Sequence, residues 1–382
     1  MKVTLNYAEF VNVLGFSNTV LSDKSVEDKL KNVIFIVKDD SVKVIGHNAT
    51  TFCRTELQVA TTEDIPEKGW DFQIKAASLN KIIQSFSSLF KTKVEKMEIA
   101  DDGVKIKISV FEEPLEEKDA ALAQRSDFYV ETAPILSNIL KDVNTEFPED
   151  GDLLDSPELF LYLESLLPLM SNDPTSNSSK MNFAEDYVFI MSPRMSTFFK
   201  NKLPDAFKGL ALSHSSVTFL KKMTEGSENI RVCRTDKYLC LQNENTEAFL
   251  RYQNIKIKYK MYLEKFSNEI GIEVDRLYLK DVLKRMNNLS PESKVYIAED
   301  GSDMEVVSSD FRQNIPLNKV KDEAKGISFS VSSGALEKAI VGREDVFTDD
   351  VRIYFTPTAR GYMIYLKDKT GTWLSNMQVT KA

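Results

Sequence analysis

Alternating apolar and polar positions recur in three similar stretches of the chain. Residues 72–83 (FQIKAASLNKII) and 329–340 (FSVSSGALEKAI) align without gaps, and residues 210–221 (LALSHSSVTFLK) keep the apolar spacing more loosely. Each stretch starts with the period-two alternation of a strand, passes a serine-containing turn and continues with apolar residues at i, i+3 and i+4. The pattern predicts a strand followed by a short helix in each copy.

The segments around these copies are also alike. Strands are predicted after every copy, the first pair around the Asp-Gly turn at residues 102–103, which is typical of a hairpin. Three strands are predicted before the first and third copies, within residues 32–59 and 294–317. Helical spacing precedes these strands at 7–21 and 279–289, and the middle of the chain has its own helical pattern at 157–170. The pattern therefore predicts that each third of the chain contains two consecutive copies of one unit, which is a strand, a helix and three further strands.

Composition shifts suggest where these thirds meet. Residues 112–119 form an acidic, proline-containing linker, and residues 254–260 form a short connector. We therefore predict domains at 1–118, 125–255 and 256–382, with exposed loops inserted in the middle domain near 146–155 and 171–179.

This organisation resembles the sliding clamp of bacterial replicative DNA polymerases, the beta subunit family. The resemblance is carried by residues 32–59, by the two aligned copies with the strands after them, and by the closing segment TWLSNMQV. It covers most of the chain and is looser in the middle third, which indicates a divergent member, for which a bacteriophage source is a hypothesis. The resemblance implies an α+β fold of three repeated clamp domains that form a ring, with antiparallel sheets outside and helices inside.

The same resemblance implies the function and the partners. A clamp encircles double-stranded DNA without reading its sequence, tethers the replicative DNA polymerase and is opened by a clamp loader. Clamps with two domains close as trimers, so three units imply a homodimer. We expect no enzyme activity and no cofactor.

Overall charge has to be reconciled with DNA binding. The chain has 49 basic and 58 acidic residues, a net charge of −9, whereas nucleic-acid-binding domains are usually basic. A ring resolves this if its cations face inward, where attraction to phosphates permits sliding. Residues 7–21 and 157–170 contain glutamates and no Lys or Arg, so we expect a patchy positive lining. The residues predicted to face DNA, each of which could instead lie on a solvated helix face, are Lys81, Lys91, Lys221, Lys222, Lys280, Lys284, Arg285, Lys338 and Arg343.

Two protein-binding surfaces are implied by the resemblance. Clamps bind short peptides of the polymerase and the loader in an apolar pocket beside the C-terminus, although each matching residue here could be plain core. They dimerise by pairing edge strands, for which 104–110 and 294–298 are the natural matches. The predicted pocket residues are Phe198, Ile257, Leu374, Met377 and Val379. The predicted dimer residues are Val104, Ile106, Ile108, Val295 and Ile297.

Several classes of protein are disfavoured by what the sequence lacks. It has no GxxxxGK[ST] or GxGxxG phosphate loop, and its three cysteines and two histidines are not at metal-ligand spacing. No run of about 18 apolar residues and no secretory signal is evident, so we expect a cytoplasmic protein, in the host cytoplasm if viral.

Two other functions fit the same pattern. One is a non-enzymatic, β-rich structural or assembly protein, such as a virion component. The other is a non-ring processivity factor that binds DNA by one basic face. A face-binding protein should lose DNA steeply as salt rises, while a closed ring should persist on circular DNA.

Overall fold

The computed structural model describes most of the chain, in two compact units. The first unit comprises Met1–Ser156 and Thr218–Tyr252, and the second comprises Pro157–Val217 and Gln253–Ala382. The described residues are 1–21, 31–38, 40–48, 50–86, 92–114, 124–133, 135, 139, 144–173, 175–192, 195–201, 203–255, 257–266, 271–290, 292–340 and 350–382.

The longer helices overlap the segments that the apolar spacing predicts. A helix is found at residues 7–21, as expected, and a helix follows the strand in each of the three similar stretches. The α-helices are α1 (Tyr7–Leu21), α2 (Ala76–Ser85), α3 (Ser156–Leu166), α4 (His214–Thr224), α5 (Lys260–Leu263), α6 (Arg276–Leu289) and α7 (Ser333–Ala339). Short 3-10 helices lie at Leu167–Leu169, Asn177–Ser179, Asp205–Phe207, Glu264–Phe266 and Asp322–Ala324.

The helix α6 starts earlier than the apolar spacing suggests. The pattern predicts residues 279–289, whereas α6 begins at Arg276. Asp275 explains the difference, because its carboxylate accepts a hydrogen bond of 2.6 Å from the backbone N–H of Tyr278 and so caps the first turn.

The strands follow the predicted order of strand, helix and three strands, given twice in each third. The strands of the first unit are β1 (Lys2–Asn6), β2 (Asn32–Val37), β3 (Ser41–His47), β4 (Thr51–Gln58), β5 (Thr61–Glu63), β6 (Trp70–Lys75), β7 (Thr92–Asp101), β8 (Ile106–Pro114), β9 (Gln124–Val130), β10 (Thr132–Ala133), β11 (Asp152–Asp155), β16 (Asn229–Arg234), β17 (Tyr238–Gln242) and β18 (Thr246–Arg251). Those of the second unit are β12 (Lys180–Phe183), β13 (Tyr187–Met191), β14 (Met195–Lys200), β15 (Leu210–Ser213), β19 (Gln253–Asn254), β20 (Ile272–Asp275), β21 (Glu292–Ile297), β22 (Asp303–Val307), β23 (Arg312–Val320), β24 (Ser328–Ser332), β25 (Asp350–Thr358), β26 (Gly361–Asp368) and β27 (Trp373–Lys381).

The first unit contains two antiparallel sheets. One has the order β5-β1-β7-β8-β9, and the other has the order β10-β6-β2-β3-β4-β18-β17-β16-β11. Apolar side chains of α1 and α2 pack against these strands. The ring centroid of Phe35 lies 6.2 Å from that of Phe10 and 4.8 Å from that of Phe72. The strand β4 pairs with β18 and so joins segments that are almost 200 residues apart.

The second unit is built on one large antiparallel sheet. Its order is β19-β15-β12-β13-β14-β27-β24-β21-β22-β23-β20-β25-β26, and β26 also pairs with β27. The long strand β27 therefore has three neighbours, because its first half pairs with β14, its end pairs with β24, and β26 runs along its other side.

Pairing of the strands corrects three sequence-based expectations. The strand at 104–110 is not an edge strand, because β8 lies between β7 and β9, and the strand at 294–298 is not one either, because β21 lies between β22 and β24. The domain boundary at 118–125 separates β8 from β9, which are hydrogen-bonded to each other. The segment 146–155 is not all loop, since its end forms β11 and pairs with β16.

Candidate functional site

The predicted DNA-facing cations lie on helices in both compact units. Lys81 is on α2, and Lys221 and Lys222 are on α4. The helix α6 carries Lys280, Lys284 and Arg285, and α7 carries Lys338. Lys91 and Arg343 lie outside the described residues.

These cations differ in their exposure and in whether they form an ion pair. Lys81, Lys284 and Lys338 are exposed and form no ion pair with any described residue. Lys222 is 3.5 Å from a carboxylate oxygen of Glu225, and Arg285 donates to Asp281 over 2.8 Å. The first three are therefore exposed and free of ion pairs within the described part of the chain.

Polar side chains join neighbouring helices on the same surfaces. Asn18 on α1 and Asn80 on α2 exchange two amide hydrogen bonds of 2.7 Å and 3.2 Å. Asn287 on α6 donates to Glu337 on α7 over 3.2 Å. These bonds fix α1 beside α2 and α6 beside α7, and both helices of the second pair carry predicted DNA-facing cations.

Three of the five predicted pocket residues come together in one apolar cluster of the second unit. Phe198 and Leu374 are buried in it, and Ile257 packs against it from the connector. The ring of Phe198 stacks on Phe189 at 5.1 Å and meets Phe266 edge-on at 6.2 Å. The side chain of Phe198 is fully buried, so it supports this surface from beneath rather than offering an apolar face to a ligand.

A small pocket lies on the other side of the same strands. Its volume is about 40 Å³. Met195 lines it from β14, and Met377 of β27 is the strand partner of Met195. Val379 is buried further along β27. The other lining residues are not among those predicted from the sequence; they are Leu169, Ser178, Ile190, Ser192 and Thr197.

The predicted dimer residues are mostly core. Ile106 and Ile108 belong to the core of the first unit, and Val295 and Ile297 are buried in the second. Val104 is 85% exposed but lies in the turn before β8. Their side chains are therefore unavailable to a second subunit, with the exception of Val104.

The five-stranded sheet of the first unit has β9 as one outer strand and the short β5 as the other. Asp127 at the centre of β9 accepts hydrogen bonds from Ser109 (2.7 Å) and Arg125 (3.0 Å) and pairs with Lys107 at 2.8 Å. The bonds from Lys107, Ser109 and Arg125 hold the pKa of Asp127 well below its usual range. Tyr129 is 56% exposed on this strand. These contacts fix β9 on β8 and leave its outer edge open among the described residues.

A second open edge occurs in the second unit, along the first half of β23. Residues Arg312–Pro316 pair with β22 on one side and have no strand on the other among the described residues, since β20 pairs only with residues from 317 onward. Proline is confined to edges and bulges of sheets, so Pro316 was a usable sequence signal for this edge.

The described residues show neither a metal-binding cluster nor a membrane-spanning helix. Among the described residues, no group of three or more His, Cys, Asp and Glu side chains is placed to hold a metal ion. The same part of the chain contains no helix with the length and apolar character needed to cross a membrane.

Comparison with known proteins gives one consistent result. No family model matches the sequence, and no curated protein matches it. The fold matches a DNA polymerase III beta subunit of Thermotoga maritima (14% identity, TM-score 0.74, 100% of this chain and 99% of that chain). It also matches a DNA polymerase sliding clamp of Caulobacter crescentus, with 10% identity and a TM-score of 0.76 over 100% of both chains. A third match is a Helicobacter pylori beta clamp bound to a DNA ligase peptide, with 12% identity and a TM-score of 0.70 over 100% of both chains.

The chain has the sliding-clamp fold. The match runs over the whole length, so the looser middle third has this fold as well as the first and last thirds. The predicted α+β class with antiparallel sheets is confirmed. At 10–14% identity the sequence has diverged far from these clamps, as the weak repeat in its middle third predicts.

Proposed function

We propose that this protein is a DNA polymerase processivity factor, a sliding clamp that closes around double-stranded DNA as a homodimer. The observation that carries the proposal is the full-length match to beta clamps at TM-scores of 0.70–0.76. Because a closed ring is retained topologically, such a protein needs neither a catalytic site nor a cofactor, and it can be acidic overall.

Contact with DNA is assigned to the free cations of the helices. Lys81, Lys284 and Lys338 are exposed and unpaired with described residues, so each can approach a phosphate without breaking an ion pair. Lysine contacts to phosphates carry no sequence information, which suits a protein that has to slide. Since α1 and α3 contain no Lys or Arg, the positive surface is patchy, and we expect retention to depend on closure more than on affinity.

The homodimer is assigned to two of the open sheet edges, one in each compact unit. We propose that β9 of one copy pairs with Arg312–Pro316 of β23 in the other, in place of the core residues that the sequence suggested. Both edges have unpaired backbone groups, which a second chain would satisfy. The two edges differ, so the contact is head-to-tail, and two such contacts close a ring.

Partner peptides are assigned to the pocket lined by Met195 and Ile190. It is lined by three apolar and three hydroxyl side chains, lies beside the last strand β27, and has Met377 as a strand neighbour. The beta clamp of Helicobacter pylori has been solved with a DNA ligase peptide. By analogy we expect peptides of the replicative polymerase and of a clamp loader to bind here.

Retention on DNA tests the proposal. The protein is loaded onto nicked circular DNA, and the sample is divided in two. The DNA of one sample is linearised by a restriction enzyme, and both samples are passed through a gel-filtration column at 0.3 M salt. A clamp stays on the circles and slides off the linear molecules. Equal loss from both forms would contradict encirclement, and steep loss with salt would favour binding by one basic face.

A further inference from the structure

The first unit contains a large cavity that none of the surfaces above includes. Its volume is about 490 Å³, within the range of roughly 300–1,000 Å³ found for small-ligand sites. The first turns of α1 form one wall, β3 and β4 form another, and the hairpin between β17 and β18 forms a third. The hairpin is held in place by a 2.9 Å bond from the backbone N–H of Glu56 to the carbonyl of Asn245.

Both cations of this cavity already have partners inside it. Arg54 donates to Glu247, whose other carboxylate oxygen accepts from Gln242 over 3.0 Å. Lys43 lies 3.8 Å from a carboxylate oxygen of Glu56. The Arg54–Glu247 pair is only 16% and 23% exposed, so it joins β4 to β18 as a fixed part of the wall.

Two of the four carboxylates that line the cavity are not part of these ion pairs. Glu9 on α1 and Glu244 on the hairpin line it from different walls, and neither forms an ion pair with a described residue. Five amide side chains complete the polar lining and contribute further acceptor oxygens. The lining thus has four carboxylates against two cations, so it is negatively charged, and both of its cations are paired.

We propose that this cavity binds the side chain of a lysine or arginine carried by a partner protein. A guanidinium or ammonium group has several N–H donors and no acceptor, which matches carboxylates and amide oxygens on separate walls. An anion such as a nucleic-acid phosphate would be repelled. The cavity is far larger than one such group, so it also has room for the chain on either side of the basic residue. The site goes beyond the proposed clamp function and does not depend on it.

Titration of short peptides tests this site. An acetylated, amidated pentapeptide with a central arginine is titrated into the full chain at 50 mM salt, followed by isothermal calorimetry, and a citrulline peptide of the same sequence is the neutral control. We expect only the arginine peptide to bind. The double variant Glu9→Gln, Glu244→Gln should bind it about tenfold more weakly, since two unpaired carboxylates are lost. The variant Glu228→Gln, an exposed glutamate outside the cavity, should bind like the wild type.

Three results would overturn the proposal. They are equal binding of the arginine and citrulline peptides, equal affinity of the wild type and the double variant, and no binding to the wild type. Spermidine, titrated alone, separates a free polyamine from a protein segment: binding of spermidine without binding of the arginine peptide would refute the assignment to a partner protein. Because Glu9 and Glu244 are outside the DNA-facing set, the double variant should keep its retention on circular DNA, so failure here leaves the clamp function untouched.

Discussion

Glu273 is a buried acid that holds several strands of the second unit together. Its side chain is 3% exposed, and its two oxygens lie 3.1 Å from Arg352, 3.8 Å from Lys319 and 3.7 Å from Lys369. Lys369 also pairs with Asp350. A buried carboxylate is costly unless it is paired, so these cations compensate for its desolvation and fix β20 between β23 and β25.

Removing this charge should destabilise the protein. We expect Glu273→Gln to lower the free energy of unfolding by about 2 kcal/mol, below the usual cost of breaking a fully buried pair because the three cations are partly exposed. Urea unfolding followed by circular dichroism measures the change. The control Glu323→Gln, at an exposed glutamate, should unfold like the wild type, and equal stability of both variants would contradict the structural role of Glu273.

At the scale of elements, the packing of α1 on β3 depends on a glycine. A Cβ atom added at Gly46 would lie 2.7 Å from the Cα and 2.8 Å from the carbonyl oxygen of Ser17 on α1. Both of these are backbone atoms, which cannot move aside as the end of a side chain can. The close approach of this helix to the sheet therefore requires glycine at position 46.

Two glycine variants separate packing from backbone effects. We expect Gly46→Ala to lower the free energy of unfolding by about 2 kcal/mol, since α1 has to shift away from β3. Gly15→Ala, inside α1, should instead raise it by about 0.5–1 kcal/mol, because the added carbon meets no atom of another element within 4 Å and alanine favours the helix. Thermal unfolding of both variants measures this, and a common direction of change would contradict the packing argument.

At the scale of the whole molecule, the proposed dimer uses the open edge of β23. The backbone N–H groups of Phe311–Leu317 alternate in direction, and Leu317 donates to Ser302 over 3.2 Å on the side of β22. The N–H of Asn314 therefore points away from β22, where a second subunit would pair. Its side chain only donates to Asp303 at the surface, over 3.0 Å.

A proline at this position tests the edge. We expect Asn314→Pro to remove one outward donor and convert the dimer to a monomer of 43.4 kDa, measured by sedimentation equilibrium. Asn314→Ala loses the same side-chain bond but keeps the N–H, so it should remain a dimer. If the Asn314→Pro variant still dimerises, the interface lies elsewhere.

Local periodicity determined the elements, the repeated order and the α+β class. Helices α1 and α2 follow from apolar spacing because that spacing records which face of each helix is buried. The exposed positions of Lys81 and Lys284 follow from the same period, so these members of the candidate DNA surface could be predicted.

Tertiary structure decided what depends on distant pairing. Whether a strand lies at an edge is set by its neighbours, so 104–110 was mistaken for an edge although β9 covers it. In a strand, neighbouring residues face opposite sides, which is why Phe198 joins the buried cluster while Met195 and Thr197 line the pocket. The acidic cavity has no local signal, because α1, β4 and the β17–β18 hairpin meet only when β4 pairs with β18.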